Sequence, residues 1–352
     1  MKRVRVLLVD DSAAFRAALA TALARDPSIE VVGQAGDGKQ ALALVKELQP
    51  DVVTMDVIMP VMDGLEAARA ILAVRPTPIL LMSNLARTNE QRLALSALRL
   101  GVVDAVNKPV LGGPDGKRGV ASVIAQVKAA ATVKMAKRPS LASSPSSAAR
   151  RRRVALVAIA ASTGGPPALE QVLAGLGESF PPVVVAQHLA ASFTDGFVEW
   201  LAGALRVEVR AVDAPIAPRA GCVYVAAEGR HLRARPGLVE PVAAAAGELS
   251  PNADLLLTSA AEAYGASAIG VVLTGMGRDG AAGLRALRDA GAWTIAQDEA
   301  SSVVYGMPRA AVEAGACSEV LPLSAIGPRL AWLAGVALFA APGSDGAARR
   351  TE

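Results

Sequence analysis

Hydrophobic positions in this chain fall into short continuous runs, separated by stretches with helical spacing. Val4–Val9, Glu30–Val32, Val52–Met55, Ile79–Met82 and Ala105–Val106 are strand-length segments dominated by apolar residues, as expected for strands covered on both faces. Between them, Ala13–Ala24, Lys39–Glu47, Gly64–Val74 and Gln91–Leu98 carry apolar residues at intervals of three and four. These predict helices, and Val120–Ala131 predicts a last one. The alternation implies a doubly wound α/β domain over residues 1–133. A second series begins at Val154–Ala160 and continues through Val183–Ala186, Cys222–Ala226, Ala268–Thr274 and Trp293–Gln297 to a helix-like Pro328–Leu338. It predicts a second doubly wound parallel-sheet domain over residues 154–341.

Residues 134–153 break the pattern. They hold Pro139, Ser143, Ser144, Pro145, Ser146, Ser147 and the basic run Arg150–Arg153. Such a segment buries too little apolar surface to offset its ordering entropy, so a linker is expected. Residues 342–352 are expected to form a frayed tail. With 52% hydrophobic but only 3% aromatic residues, the cores must be built from Ala, Val and Leu. The net charge of +4 comes without aromatic–basic interleaving, which argues against nucleic acid. The run Val6–Val9 is cut short by Asp10 and Asp11, and Leu330–Ala341 is too short to cross a bilayer. A soluble, cytoplasmic protein without membrane insertion is expected. Cys222 and Cys317, with no CxxC pairing, fit idle thiols in a reducing compartment.

Functional groups in open parallel sheets collect outside the carboxyl ends of the strands. Asp10 and Asp11 stand at the end of the first predicted strand, Asp56 at the third, Ser83 just after the fourth, and Lys108 with Pro109 after the fifth. Three converging carboxylates repel one another unless a hard cation such as Mg²⁺ neutralises them. A cation and an ammonium at one site would also stabilise a transferring phosphoryl group. The plainer alternative is that these aspartates cap helices, Asp11 above all.

In the second domain, Ser162 follows a strand and precedes Thr163-Gly164-Gly165-Pro166-Pro167, where a helix should begin. A serine on such a turn is exposed to substrate beside backbone N–H donors. The chain has two histidines. His188 ends the run Pro182–Gln187, and His231 lies in a predicted polar turn, Glu228-Gly229-Arg230-His231. Position alone does not rank them as a general base. Asp279 lies in Gly275-Met276-Gly277-Arg278-Asp279-Gly280, after another Val-rich strand. Serine, histidine and aspartate could meet along one sheet edge, although Ala160–Gly164 is not a G-x-S-x-G elbow. The same glycine motif matches G-x-G-x-x-G, with Asp298 and Glu299 downstream, so a dinucleotide-binding enzyme is an alternative. Against it, the motif comes late in its domain.

Two resemblances sharpen these readings. Val9–Ser12, Met55–Pro60 with Met62-Asp63-Gly64, Ser83 and Lys108-Pro109 resemble a two-component response-regulator receiver of flavodoxin-like fold. The resemblance implies that Asp56 accepts a phosphoryl group and that Asp10 and Asp11, with Asp56, hold Mg²⁺. It also implies that Ser83 contacts the phosphoryl group and Lys108 pairs with it, and that a chemotaxis-type histidine kinase is the phosphodonor. Ala105 departs from the aromatic common at that position, so relay by backbone or helix displacement is expected. Ala161–Pro166, Gln187-His188, Phe193-Thr194, Leu273–Leu284 and Gln297–Glu299 through Val303–Pro308 resemble the Rossmann-like catalytic domain of CheB-type protein-glutamate methylesterases. That resemblance implies Ser162 as nucleophile, His188 as base and Asp279 as its orienting carboxylate. Backbone N–H groups near Thr163 and Met276 would form the oxyanion site, with no catalytic metal or other cofactor in this domain. A methyl-accepting chemoreceptor is the implied substrate, with deamidation of receptor glutamine as a second reaction. The resemblance further implies a receiver that restrains the esterase until phosphorylated. The protein is expected to be monomeric. A receiver-regulated adaptor without catalysis is the remaining alternative. Ala160, Ala191 and Ala227 depart from the family's usual Gly, Pro and Pro.

Overall fold

In this computed structural model, residues 3–83, 88–111, 113–133, 153–245, 248 and 250–338 are described. The chain divides into two units, Met1–Arg138 and Pro139–Glu352. The expected linker, apart from Arg153, and the expected tail lie outside the described residues.

In the first unit, β1 (Val4–Val9), α1 (Ala13–Leu23), β2 (Ile29–Ala35), α2 (Gly38–Leu48), β3 (Val52–Asp56) and α3 (Gly64–Val74) alternate. They are followed by β4 (Ile79–Ser83), α4 (Thr88–Leu98), β5 (Asp104–Asn107) and α5 (Gly113–Ala131). All pairings are parallel, in the order β2-β1-β3-β4-β5, which is the flavodoxin-like winding. Strands β3 and β4 are buried along their whole length, so their apolar character was continuous rather than alternating. Three helices begin at side-chain caps: Ser12, Asp37 and Asp63 accept from the amides of Phe15, Gln40 and Glu66. Thus Ser12 caps α1, and Asp11 remains free of that role.

The second unit runs β6 (Leu156–Ala161), α6 (Gly165–Leu173), β7 (Val183–Gln187), α7 (Thr194–Ala202), β8 (Glu208–Val212) and β9 (Cys222–Ala226). Next come β10 (Arg230–Arg235), β11 (Leu238–Ala243), α8 (Ala253–Tyr264), β12 (Ala268–Val272), α9 (Ala281–Asp289) and β13 (Trp293–Gln297). The series ends with α10 (Met307–Glu313), β14 (Glu319–Leu321) and α11 (Leu323–Ala334). Seven parallel strands form one sheet in the order β14-β13-β12-β6-β7-β9-β8. Strand order reverses at β6, which has β12 on one side and β7 on the other. That switch point opens a crevice at the carboxyl ends of β12, β6 and β7.

The antiparallel pair β10–β11 was not anticipated. Its first strand, Arg-His-Leu-Arg-Ala-Arg, is buried at His231, Leu232 and Ala234 and exposed at both ends, and it carries no continuous apolar run. Edge strand β8 escaped for the same reason, being mostly exposed. Helix α11 starts at Leu323 rather than Pro328; Pro328 sits inside it, and Pro322 is the N-cap. Cys222 and Cys317 are free thiols, the first buried in β9.

Candidate active site

At the carboxyl edge of the first sheet, Lys108 places its ammonium 2.8 Å from Asp10 Oδ2 and 2.7 Å from Asp56 Oδ2. The lysine backbone is anchored there, its amide donating to the Ser83 carbonyl at 2.9 Å. Ser83 ends β4 and is buried. Burial pushes the Asp56 carboxyl up to about 6, outweighing the Lys108 ammonium. For Lys108, burial works to lower the ammonium and the two carboxylates more than offset it, so it is held above its usual value. Asp10, Asp11 and Asp56 each offer an oxygen within 4.8 Å of the others. Three hard oxygen donors with an incompletely compensated charge fit a divalent cation such as Mg²⁺.

In the second unit the crevice gathers Ser162, His188 and Asp279. Ser162 is the first residue beyond β6; its amide donates to the Thr274 carbonyl at 3.0 Å. His188 is the first beyond β7, and its amide donates to the Ala161 carbonyl at 2.9 Å. Nucleophile candidate and base candidate therefore leave neighbouring strands side by side, as the Ala161–Gln187 register requires. Asp279 arrives from the loop after β12, with Oδ2 2.8 Å from His188 Nε2. An ionised carboxylate only accepts, so this contact assigns the proton to Nε2 and leaves the Nδ1 lone pair free. Asp279 is itself held by the first amides of α8: Ala253 donates to Oδ2 and Asp254 to Oδ1, each at 2.8 Å. Burial works to raise the Asp279 carboxyl, but His188 and these amides prevail and hold it below its ordinary value. Among the described residues, Ser162 Oγ makes no hydrogen bond, to His188 or otherwise. Catalytic hydrogen bonds in apo sites often form only when substrate is bound.

The backbone around Ser162 is tightly packed. A Cβ on Gly275 would stand 2.7 Å from Ser162 Cβ and 2.3 Å from Met307 Sδ, so only glycine admits this approach. The first glycine of the G-x-G-x-x-G pattern therefore packs against the serine turn. No hydrogen bond occupies the amide of Thr163 or that of Met276 among the described residues. Thr274 Oγ1 donates to the Thr163 carbonyl at 3.0 Å and accepts from the Val304 amide at 2.9 Å, fixing the Thr163 peptide. Gln187 Nε2 donates to the carbonyls of Ser162 and His188, at 2.9 and 3.0 Å, tying the two strand ends together. Neither Thr274 nor Gln187 was singled out as a site residue. The available signal was their position as polar residues at the ends of buried apolar runs.

A CheB methylesterase family model matches residues 157–330, and a response regulator receiver domain model matches residues 6–113. Protein-glutamate methylesterase/protein-glutamine glutaminase 3 of Anaeromyxobacter dehalogenans is 43% identical over 340 residues, covering 94% of this chain and 99% of that protein. Protein-glutamate methylesterase/protein-glutamine glutaminase 1 of Caulobacter vibrioides is 41% identical over 348 residues, covering 95% and 99%. The chain belongs to this family. Among solved structures, the Thermotoga maritima CheB methylesterase catalytic domain is 33% identical over 51% of this chain and 98% of that one, with a TM-score of 0.48.

As a member of the protein-glutamate methylesterase/protein-glutamine glutaminase family, the chain is a carboxylic ester hydrolase carrying a response-regulator receiver. No helix among its described residues is long and apolar enough to cross a membrane. Among the departures, Ala160 is fully buried in β6. The second histidine requires a correction. His231 is not in a polar turn but in β10, with 3% exposure. The turn closes one residue earlier, where the Arg230 amide donates to the Ala227 carbonyl at 3.1 Å. Its Nδ1 accepts from the Asn252 amide at 2.9 Å, and its Nε2 lies 3.3 Å from Glu248 Oε2 without hydrogen-bond alignment. Both ring nitrogens thus face other groups, the Asn252 amide and the Glu248 carboxylate. His231→Ala is expected to lose about 1–3 kcal/mol of stability, the cost of a buried amide left unpaired, while retaining most turnover. His188→Ala is expected to lose nearly all turnover. Parallel assays and thermal melts of the two variants read this directly, and equal loss of turnover would reverse the assignment.

Proposed function

We propose that this chain is a phosphorylation-activated methylesterase of methyl-accepting chemoreceptors that works through Ser162, His188 and Asp279. The observation that carries the reading is the Asp279–His188 contact through Nε2. It leaves Nδ1 as the nitrogen that takes the serine proton.

In this mechanism Ser162 Oγ bonds to the carbonyl carbon of a receptor glutamyl methyl ester as its proton passes to His188 Nδ1. The carbonyl oxygen becomes an oxyanion, to which the unoccupied amides of Thr163 and Met276 would donate. The imidazolium, stabilised by Asp279, returns the proton to the departing methoxide, and methanol leaves. Water, deprotonated by the same Nδ1, then cleaves the glutamyl–Ser162 ester to give glutamate and free serine. The same sequence on a receptor glutamine releases ammonia. No metal ion takes part in these steps.

In the receiver, an Asp56 carboxylate oxygen attacks phosphorus of the phosphodonor, a histidine kinase, and the donor group leaves with its electron pair. Asp10, Asp11 and Asp56 would hold Mg²⁺, which would neutralise charge on the transferring phosphoryl group. Lys108 and Ser83 would then contact the phosphoryl oxygens. Phosphorylation activates by disfavouring a less active arrangement of the chain, and only by that difference in free energy. The reading places the protein in the cytoplasm, as a monomer, alongside the receptor's cytoplasmic portion.

The test is methanol release from a methylated receptor fragment, with and without acetyl phosphate and Mg²⁺. Release stimulated by both additions is expected. No release in either condition, from folded protein and a cognate fragment, would favour the adaptor reading instead.

A further inference from the structure

Helices α8 and α9 begin side by side beneath the catalytic aspartate, and their N-terminal caps are exchanged. Helix α9 has Gly280 at its N-cap, with no side chain to accept from its first amides. An uncapped helix start leaves amide donors in need of acceptors. The acceptor comes from the neighbouring helix: Asp254 Oδ1 takes the Gly283 amide at 2.7 Å. Asp279, immediately before Gly280, does not serve its own helix. It turns instead to the Ala253 and Asp254 amides of α8, although α8 already has a side-chain cap, Asn252 Oδ1 on the Leu255 amide at 2.7 Å.

The close approach of the two helices is built in. A Cβ on Gly283 would stand 2.6 Å from Leu257 Cβ and 2.8 Å from the Asp254 carbonyl. Burial pushes the Asp254 carboxyl up; the Gly283 amide opposes this, while the nearby Asp279 charge reinforces it. That is an unfavourable place for a second carboxylate, and among the described residues it is hydrogen-bonded to neither Ser162 nor His188. Its evident bonding role is to the start of α9.

We infer that Asp254 is a positioning residue for the esterase reaction: by capping α9 from α8, it frees Asp279 to point at His188. Without Asp254, the unsatisfied amides of α9 compete for the nearest acceptor in sequence, which is Asp279 itself. A carboxylate drawn toward its own helix leaves Nε2, and the imidazole loses both its tautomer and its aim. The inference rests on the proposed roles of Ser162, His188 and Asp279, and it deepens them.

The experiment uses the full-length chain with Asp254→Ala, Asp254→Asn and, as a control, Asn252→Ala. The first expected result is kinetic. Asp254→Ala lowers kcat for methanol release by about 10²-fold with little change in KM, the scale of a misplaced catalytic group. Asp254→Asn keeps kcat within about threefold, because Asn caps about as well as Asp. Asn252→Ala removes the ordinary cap of α8 and lowers the melting temperature, yet holds kcat near the parent value.

The second result is spectroscopic and independent of turnover. With two histidines in the chain, a histidine-selective ¹⁵N spectrum contains two imidazoles. The Nε2 proton of His188, held by Asp279, is expected as a slowly exchanging, downfield signal in the parent and in Asp254→Asn, and to be lost in Asp254→Ala. If Asp254→Ala does not fold, Asp254→Ser, with a shorter acceptor, is expected to show an intermediate loss of both kcat and signal. Parental kcat with an intact signal in the Ala or Ser variant overturns the inference. So does an Asn variant as impaired as Ala, which would assign the effect to charge. The signal reads the Asp279–His188 contact even if Ser162 proved not to be the nucleophile, so failure of that assignment is separately visible.

Discussion

Ser162→Ala is expected to lower methanol release from a methylated receptor fragment by about 10⁴-fold or more, the usual result of removing a nucleophile that acts as one unit with its base. That corresponds to about 5.5 kcal/mol of lost transition-state stabilisation. The substitution is unusually clean here. Ser162 Oγ makes no hydrogen bond among the described residues, so nothing is left unpaired by its removal. The local backbone is held by other groups: the Ser162 amide on the Thr274 carbonyl, and Gln187 Nε2 on the Ser162 carbonyl. The fold should therefore be unchanged, with stability within about 0.5 kcal/mol of the parent. A covalent probe of activated serines should label the parent and not the variant. Turnover comparable to the parent in a folded Ser162→Ala protein would mean that another group attacks the ester. The amides of Thr163 and Met276 and the Asp279–His188 pair would then need a different role.

The receiver cluster was legible in the chain because its chemistry sits at positions that the hydrophobic pattern itself marks. Asp10, Asp56 and Lys108 stand where apolar runs end, and parallel winding brings those ends to one edge. The structure adds what pattern cannot provide, namely that Lys108 lies between Asp10 and Asp56 at 2.8 and 2.7 Å. In the second unit the same logic found Ser162 and His188, which leave β6 and β7 in register. It could not choose between two histidines by position, because the distinguishing fact is a contact across 91 residues, His188 Nε2 with Asp279. His231 was misplaced by a single residue, since Gly229 and Arg230 read as a turn that actually closes before the strand.

What pattern missed follows one physical rule. Groups that position the site act through backbone, and their partners are remote in sequence. Thr274 reaches the Thr163 carbonyl across 111 residues. Asp254 reaches α9 across 29. Neither residue belongs to a motif with its partner, so only the packing of α8 against α9 and of β12 against β6 reveals them. The hairpin β10–β11 was hidden differently. Its strands are charged and only partly buried, without the continuous apolar runs that mark the parallel strands of the domain.

Asp56→Asn is expected to abolish stimulation by acetyl phosphate and Mg²⁺, bringing the ratio of stimulated to unstimulated methanol release to about one. The reaction needs a carboxylate oxygen as nucleophile at phosphorus, and an amide does not provide it. Neighbouring carboxylates are poor substitutes. Asp11 is exposed, and Asp10 is bound at Oδ1 by the Ser12 amide at 2.9 Å and at Oδ2 by Lys108. The variant should fold, because the Asn oxygen can still accept from the Val57 amide, which donates to Asp56 Oδ1 at 2.8 Å, and Lys108 keeps Asp10. Loss of stimulation is thus attributable to the acceptor itself. The size of the parent's response has a direct meaning: each tenfold of activation reports about 1.4 kcal/mol by which phosphorylation disfavours the less active state. Phos-tag electrophoresis on the same samples separates the two steps. An unphosphorylated, unstimulated variant supports Asp56 as the acceptor, whereas an Asn variant that is still phosphorylated and stimulated would move the acceptor to another residue.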